Sequence, residues 1–383
     1  MNGTPAVFHA PDVDPGVEGV ANGRAPRSSR SRTRQLLRVL VSLALALSLL
    51  AVVLPRLVGT TLHDVVMALK LVTAPDAAFL VVIWALGLFA YSFVLTGALG
   101  GLSRRRALTL NLTGSSVSNV LPFGGAAGMS LNFVMLRAWG YGAQEFSAFT
   151  LVTNLWGILL KLALPALALG ALFATGGTVN ETMRWTALGA AVALAVVVAV
   201  LVGFLARRTV AQRVAAFAAP VVVRVSRLVH RPTSAPVVVR NLLDFRDQVV
   251  KVIGRRWAQL TLGMLAYAVL QAVLLWACLH AVGAPLAVTV VLAAFTVDRI
   301  MSMVVLTPGG AGFAEAGAAA ALVALGGAPA AMAAGVLLYR GFTFALEIPV
   351  GGGWLVGWLW GNRRQLRLQS ESEPVVEVDE VAA

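Results

Sequence analysis

Six ionisable side chains stand inside stretches that are otherwise apolar: Lys161, Asp298, Arg299, Glu315, Arg340 and Glu347. A charge at bilayer depth is costly and is retained where it faces a cavity, a partner or a permeant group. Cations in such a place can take a phosphate out of the interface. Arginine suits this best, because its planar fork bonds two oxygens at once. Arg340 and Arg299 are therefore the leading phosphate-binding candidates, with Lys161 next. Carboxylates in the same setting serve a cationic headgroup or a coupled proton. Glu315 follows a glycine-rich break, where the free amides at a helix start favour an anion. The competing reading is structural: Asp298, Arg299, Arg340 and Glu347 pair with one another between packed helices.

Spacing ties these residues to two breaks in the chain. Asn154 and Lys161 are seven residues apart with Pro165 following, and Arg340 and Glu347 are seven apart with Pro349 following. Seven residues is nearly two helical turns, so each pair shares a face. Upstream of the first pair lies VLPFGGAAG at 120–128, with Pro122, Gly124, Gly125 and Gly128. Upstream of the second lies VLTPGGAG at 305–312, with Pro308, Gly309, Gly310 and Gly312. Proline removes a backbone donor and glycine weakens a helix. In a bilayer, non-helical backbone is tolerated only where it is buried in protein or lines a wet cavity. Gly125 and Gly310 are 185 residues apart and Lys161 and Glu347 are 186 apart, which points to an internal repeat.

Hydrophobic residues make up 58% of the 383 and charged residues 12%, with a mean hydropathy of +0.83. Such a chain is too apolar for a soluble domain, and it predicts an all-α, polytopic transmembrane bundle. Apolar stretches of spanning length lie at about 36–54, 79–100, 147–172, 184–206, 258–281, 286–306 and 330–360, and a small-residue segment runs from 108 to 136. The net charge is +13, but the arginines collect in the connections between apolar runs. That pattern fits anionic lipid headgroups and a cytoplasmic side rather than nucleic acid. Residues 1–35 read as a disordered basic tail. The run after it is a cleaved signal peptide or, fitting its length and long basic flank better, a signal anchor. Residues 363–383 read as a cytoplasmic tail, acidic at its end. The single Cys278 allows no intrachain disulfide, and the four histidines show no metal-ligand spacing. With no HExxH, GxSxG or Walker A motif, no catalytic residue, metal or cofactor is expected.

The basic clusters impose a parity. Arg104 to Arg106, Arg207 with Arg208, and Arg363 with Arg364 should be cytoplasmic, as should both termini. The connection at 207–257 is the longest and most basic, and it predicts an amphipathic segment on the membrane surface. Between Arg106 and Arg207 the crossings must be even in number. The runs at 147–172 and 184–206 supply two, so 108–140 must enter and return as a re-entrant hairpin. The same count between Arg256 and Arg363 makes 286–326 a second hairpin entering from the opposite side, an inverted-topology repeat. The alternative counts 286–306 as an ordinary span and PGGAG as a kink between helices. The small-xxx-small pairs Gly97/Gly101, Gly353/Gly357 and Gly357/Gly361 read as helix-packing positions. Trp185, Trp257, Trp354, Trp358 and Trp360 read as interfacial anchors.

The stretch TPGGAGFAEAGAAAALVALGG at 307–327 resembles the signature of the lysylphosphatidylglycerol synthase transmembrane family, the flippase-like membrane domain. It sets Pro308, Gly309, Gly310, Gly312 and Glu315 ahead of an alanine-rich helix. LLYRGFTFALEIPVGG at 337–352, with Tyr339 and Arg340, resembles that family's tyrosine–arginine segment, and NVLPFGGAAG at 119–128 its first glycine-rich element. The resemblance covers roughly 36–362. It implies an integral inner-membrane protein; the best-understood members fuse this domain to a soluble aminoacyltransferase that makes lysyl-lipid, which the membrane part moves outward. This chain is expected to be a stand-alone member without the transferase. The expected function is binding and translocating an anionic phospholipid or lipid-linked intermediate across the cytoplasmic membrane. The alternative is a non-transporting membrane subunit that docks a lipid- or glycan-modifying enzyme.

Overall fold

The computed structural model describes residues 59–121, 124–174, 181–228, 234–303 and 312–362. The amino-terminal tail, the 36–54 run, the carboxy-terminal tail, Pro122, Pro308, Gly309 and Gly310 lie outside the described residues. Everything regular that is described is helical.

Helix α1 (Leu62–Leu69) and helix α2 (Ala74–Ala98) each begin with a capping box, Thr61 with Asp64 and Thr73 with Asp76. In each box the threonine hydroxyl accepts a backbone N–H and the aspartate answers the threonine's own, so two orphan donors are satisfied. A hairpin of α3 (Arg104–Val120) and α4 (Gly124–Ala138) follows, then the long α5 (Ala143–Ala174) and α6 (Glu181–Ala206). Helix α7 (Arg208–Leu228) leaves α6 at an angle of 107°. Helix α8 (Ala235–Ala281) runs for 47 residues, about 70 Å. A second hairpin, α9 (Val288–Met301) and α10 (Phe313–Ala324), precedes α11 (Pro329–Arg340), a π-helical turn at Gly341–Ala345 and α12 (Glu347–Gly361). Among the described residues, four segments are long and apolar enough to cross a bilayer, and a fifth if the bent α6–α7 pair counts as one.

Helices α2 and α8 form the central pair. Gly97 meets Leu260, Gly263 meets Val94 and Gly87 meets Leu270, so the two run antiparallel. Small residues at these points let the backbones approach closely. Arg256 and Gln259 on α8 then donate to the Thr96 and Phe93 carbonyls at 2.7 and 3.0 Å.

The first glycine-rich segment lies between the paired short helices α3 and α4, and Gly312, the described end of the second, opens the short helix α10. The hairpin helices have 17, 15, 14 and 12 residues. At 1.5 Å per residue none exceeds about 25 Å, short of the roughly 30 Å hydrocarbon core. The ordinary-span reading of 286–306 therefore fails on length, since α9 stops at Met301. Glycine is required at both turns. A Cβ at Gly124 would fall 1.8 Å from the Ser118 carbonyl oxygen, and Gly312 holds φ +92° ahead of α10.

The two halves repeat one order: a long helix, two short helices, a long helix. The first hairpin packs α3 on α12, and the second packs α9 on α5, so each half's hairpin lies against the other half's last helix. Because α2 and α8 run in opposite directions, the repeat is inverted. The end of α3 in the first hairpin reaches the segment around the π-helical turn: Asn119 donates to the Phe344 carbonyl at 3.3 Å and Ser116 to that of Ile348, in α12, at 2.9 Å.

Two expectations about small and aromatic residues are corrected. Gly353, Gly357 and Gly361 have nothing within 4 Å of a built Cβ; the packing glycine on α12 is Gly351, whose Cβ would lie 2.1 Å from the Leu112 carbonyl oxygen. Trp358 is buried against Trp139, while Trp185, Trp257, Trp354 and Trp360 are exposed as anchors should be. The basic 207–257 connection resolves into α7 and the first half of α8. On α7, Ala211, Ala215 and Ala219 are buried while Val214, Phe217 and Val221 are exposed along one stripe, the amphipathic pattern of an interfacial helix.

Gly351→Val should destabilise the protein by about 1–3 kcal/mol through overpacking of α3 on α12, while Gly357→Ala should be neutral. Thermal unfolding in detergent would check both.

Candidate functional site

Two apolar cores fill the bundle, and polar side chains lie between them. One core gathers Leu80, Leu275, Phe295, Leu322 and Val336; the other gathers Val94, Leu110, Met135, Val152 and Leu260. Along α2 and α8 the boundary falls at Tyr91, Tyr267 and Gln271. Tyr91 and Tyr267 have ring centroids 5.0 Å apart, and Gln271 donates to the Tyr267 hydroxyl at 2.9 Å. The charged residues singled out in the sequence gather at this level.

Two buried ion pairs organise the group. Arg340, at the end of α11, donates through Nε to Glu315 Oε1 at 2.5 Å. Glu315 is 1% exposed, and its other oxygen accepts the Gly312 amide at 2.6 Å. The carboxylate thus caps its own helix while holding the arginine. Arg299 bonds its sequence neighbour Asp298 through Nε and Nη2 at 2.8 and 2.6 Å, and its Nη2 also donates to the Tyr339 hydroxyl at 2.9 Å. Asp298 Oδ1 is buried with no hydrogen-bond partner among the described residues. Lys161, half-buried on α5, lies within electrostatic reach of Asp298 and Arg299 but forms no ion pair with either.

Glu347, 8% exposed in the first turn of α12, stands apart from both pairs. The seven-residue spacing suggested Arg340 as its partner, yet the intervening π-helical turn shifts the register and the ion pair of Arg340 is with Glu315. Ser115 and Trp84 lie beside the Glu347 carboxyl, with Trp84 Nε1 buried and without a hydrogen-bond partner among the described residues, and Arg340 and Arg299 act on it electrostatically.

Beside this cluster is a cavity of about 330 Å³ between α2, α3, α4 and α5. Its walls are uncharged and mixed, with the polar Asn111, Ser115, Ser118, Asn132 and Thr153 beside apolar Leu95, Leu110, Met129, Phe146 and Phe149, and Gly125 and Gly128 from the first break. Asn154 also lines it, donating to the Thr150 carbonyl at 2.8 Å. Ser115 and Tyr91 belong to both regions, so the neutral cavity and the charged cluster form one polar interior.

The structure therefore brings together Lys161, Asp298, Arg299, Glu315, Arg340 and Glu347, and places Asn154 in the adjoining cavity. The broken-helix glycines supply a cavity wall (Gly125, Gly128), a close backbone approach (Gly124) and the start of α10 (Gly312). Sequence reasoning missed Tyr91, Tyr267, Gln271, Ser115 and Trp84. The run LNLTGSSVSN at 110–119 was the available signal, a polar stretch in an apolar chain. Among the described residues no group of His, Cys, Asp and Glu side chains could hold a metal.

Removing one partner of a buried ion pair leaves an uncompensated charge and costs about 3–5 kcal/mol. Arg340→Ala should be destabilising by that amount through the stranded Glu315, and Arg340→Ala with Glu315→Ala should recover most of it. Unfolding midpoints of the two variants in detergent would show it.

The model of a protein family described as "Lysylphosphatidylglycerol synthase TM region" matches residues 36–351. No curated protein matches the chain.

Proposed function

The chain belongs to the lysylphosphatidylglycerol synthase transmembrane family and is a multi-pass membrane protein, and from that premise we propose that it binds an anionic phospholipid or lipid-linked intermediate and moves it across the cytoplasmic membrane. The observation that carries this reading is the polar interior itself. Arginines are held in the last turns of α9 and α11, next to an uncharged cavity lined in part by polar side chains, within a bundle otherwise filled by apolar side chains. A phosphate leaving the interface loses hydration, and the Arg340 and Arg299 forks replace it with charge-assisted hydrogen bonds. Lys161, without an ion pair among the described residues, adds a third positive charge. The apolar chains of the same lipid remain among the exposed apolar faces of the bundle.

In this reading Glu315 holds Arg340 until the phosphate competes for it. The inverted hairpins fit a pathway in which two halves alternate around one site. The arginine-bearing ends of α3 and α7 and the first half of α8 face the cytoplasm, and α1 the outside.

The second reading, a membrane subunit docking a lipid- or glycan-modifying enzyme, draws on one observation. Between α7 and α8 runs a groove of about 1080 Å³, lined by Ala216, Pro220, Val223 and Val239 with Arg224 and Arg240. A docking role would use that surface and leave the buried cluster without a transport task.

Reconstitution with a labelled anionic lipid separates the two. The Arg340→Ala, Glu315→Ala double variant should stay folded yet move lipid only at the background rate. Arg340→Lys should be slower by about tenfold, the loss of one charge-assisted hydrogen bond of about 1.5 kcal/mol. Transport at the normal rate by the double variant would refute the role of Arg340. On a Cys278→Ala background, a cysteine at position 105 should label only from the cytoplasmic side and one at position 70 only from outside; the reverse pattern would overturn the orientation.

A further inference from the structure

The six ionisable groups of this cluster are three cations, Lys161, Arg299 and Arg340, and three acids, Asp298, Glu315 and Glu347. Two of the acids are committed: Asp298 is ion-paired with Arg299 and Glu315 with Arg340. Glu347 is the acid with no ion pair among the described residues. The groups that face it are Ser115 from α3, Trp84 from α2, Tyr267 from α8, Arg299 from α9 and Arg340 from α11. Neither arginine is within salt-bridge distance of it.

With all six ionised, the layer is neutral. A monoanionic phosphodiester seated on Arg340 and Arg299 would leave one negative charge in excess, at a depth where unbalanced charge is weakly screened and poorly solvated. One proton restores neutrality, and the acid without an ion pair is where it can go at least cost. We propose that Glu347 is a proton-binding site whose protonation accompanies binding of the lipid's anionic group, so that anion and proton are carried together. The inference rests on the lipid-translocation reading above and adds its coupling ion.

The route for the proton is present. Ser115 both lines the neutral cavity and lies beside the Glu347 carboxyl. A cavity of about 330 Å³ with Asn111, Ser115, Ser118, Asn132 and Thr153 in its walls has room for about ten waters. The proton leaves a hydronium in that space and bonds to a carboxylate oxygen of Glu347; no other bond is made or broken. The position also suits a switch. Glu347 directly follows the π-helical turn that separates it from Arg340, and π-helical turns recur at functional sites. A displacement of Arg340 from Glu315 toward phosphate is thus transmitted to Glu347 through one short segment.

The test uses the full chain in phosphatidylcholine vesicles, with and without phosphatidylglycerol, followed by infrared difference spectroscopy of the protonated carboxyl band alongside lipid movement. Phosphatidylglycerol should raise the band by one group per chain. Glu347→Gln should lose that gain, Glu347→Asp should keep it at a shifted frequency, and the exposed-end control Asp76→Asn should leave it unchanged. A gain that survives Glu347→Gln would overturn the proposal, as would phosphatidylglycerol that crosses with no gain while the translocation reading stands. If phosphatidylglycerol neither binds nor moves, the translocation reading falls and the coupling falls with it.

Discussion

Burial of charge is the constraint on which the rest of this structure depends. An ionised carboxylate or guanidinium stripped of water must find a counter-charge and hydrogen bonds, or the bundle does not hold it. Glu315 meets that demand with one oxygen on Arg340 and the other on the Gly312 amide. The second bond exists only because the chain breaks at Gly312 and begins a new helix there, leaving its first amides free. The break and the ion pair are therefore one device. Arg299 is held in the same spirit, by Asp298 and by the Tyr339 hydroxyl.

Bringing helix ends to the middle of an apolar bundle requires hairpins, and hairpins require glycine at the points of closest approach. Gly124, Gly128 and Gly351 lie where a Cβ would strike the carbonyl oxygens of Ser118, Gly114 and Leu112. All three surround α3, the polar helix that carries Ser115 toward Glu347 and Asn111 toward the cavity. The inverted repeat then sets each hairpin against the other half's last helix, α3 on α12 and α9 on α5. The pathway proposed for the lipid is the polar interior between them.

The helical membrane architecture was legible in the sequence because the signals were strong: long apolar runs, and glycines such as Gly124 and Gly312 at the points where helices begin. The charged cluster was legible because each member is conspicuous in apolar surroundings. What could not be read was the pairing. Arg340 and Glu347 looked like partners at seven residues, but the π-helical turn at Gly341–Ala345 adds residues to that stretch, and Arg340 reaches instead to Glu315, 25 residues earlier. Packing direction was equally hidden. The stripe of Gly353, Gly357 and Gly361 promised a helix contact, whereas the close approach uses Gly351, off that stripe. The tyrosines of α2 and α8 escaped notice because tyrosine in an apolar run carries no charge to mark it.

The central claim is that an anionic lipid headgroup leaves the interface and exchanges with Glu315 for Arg340. The most direct measurement is an experimental structure of the protein in a bilayer containing phosphatidylglycerol. The account requires a phosphate within hydrogen-bonding distance of the Arg340 guanidinium, with the lipid's chains leaving between the hairpins toward the bilayer. Phosphates confined to the membrane surface, with Arg340 still bonded to Glu315 in every conformation captured, would contradict it.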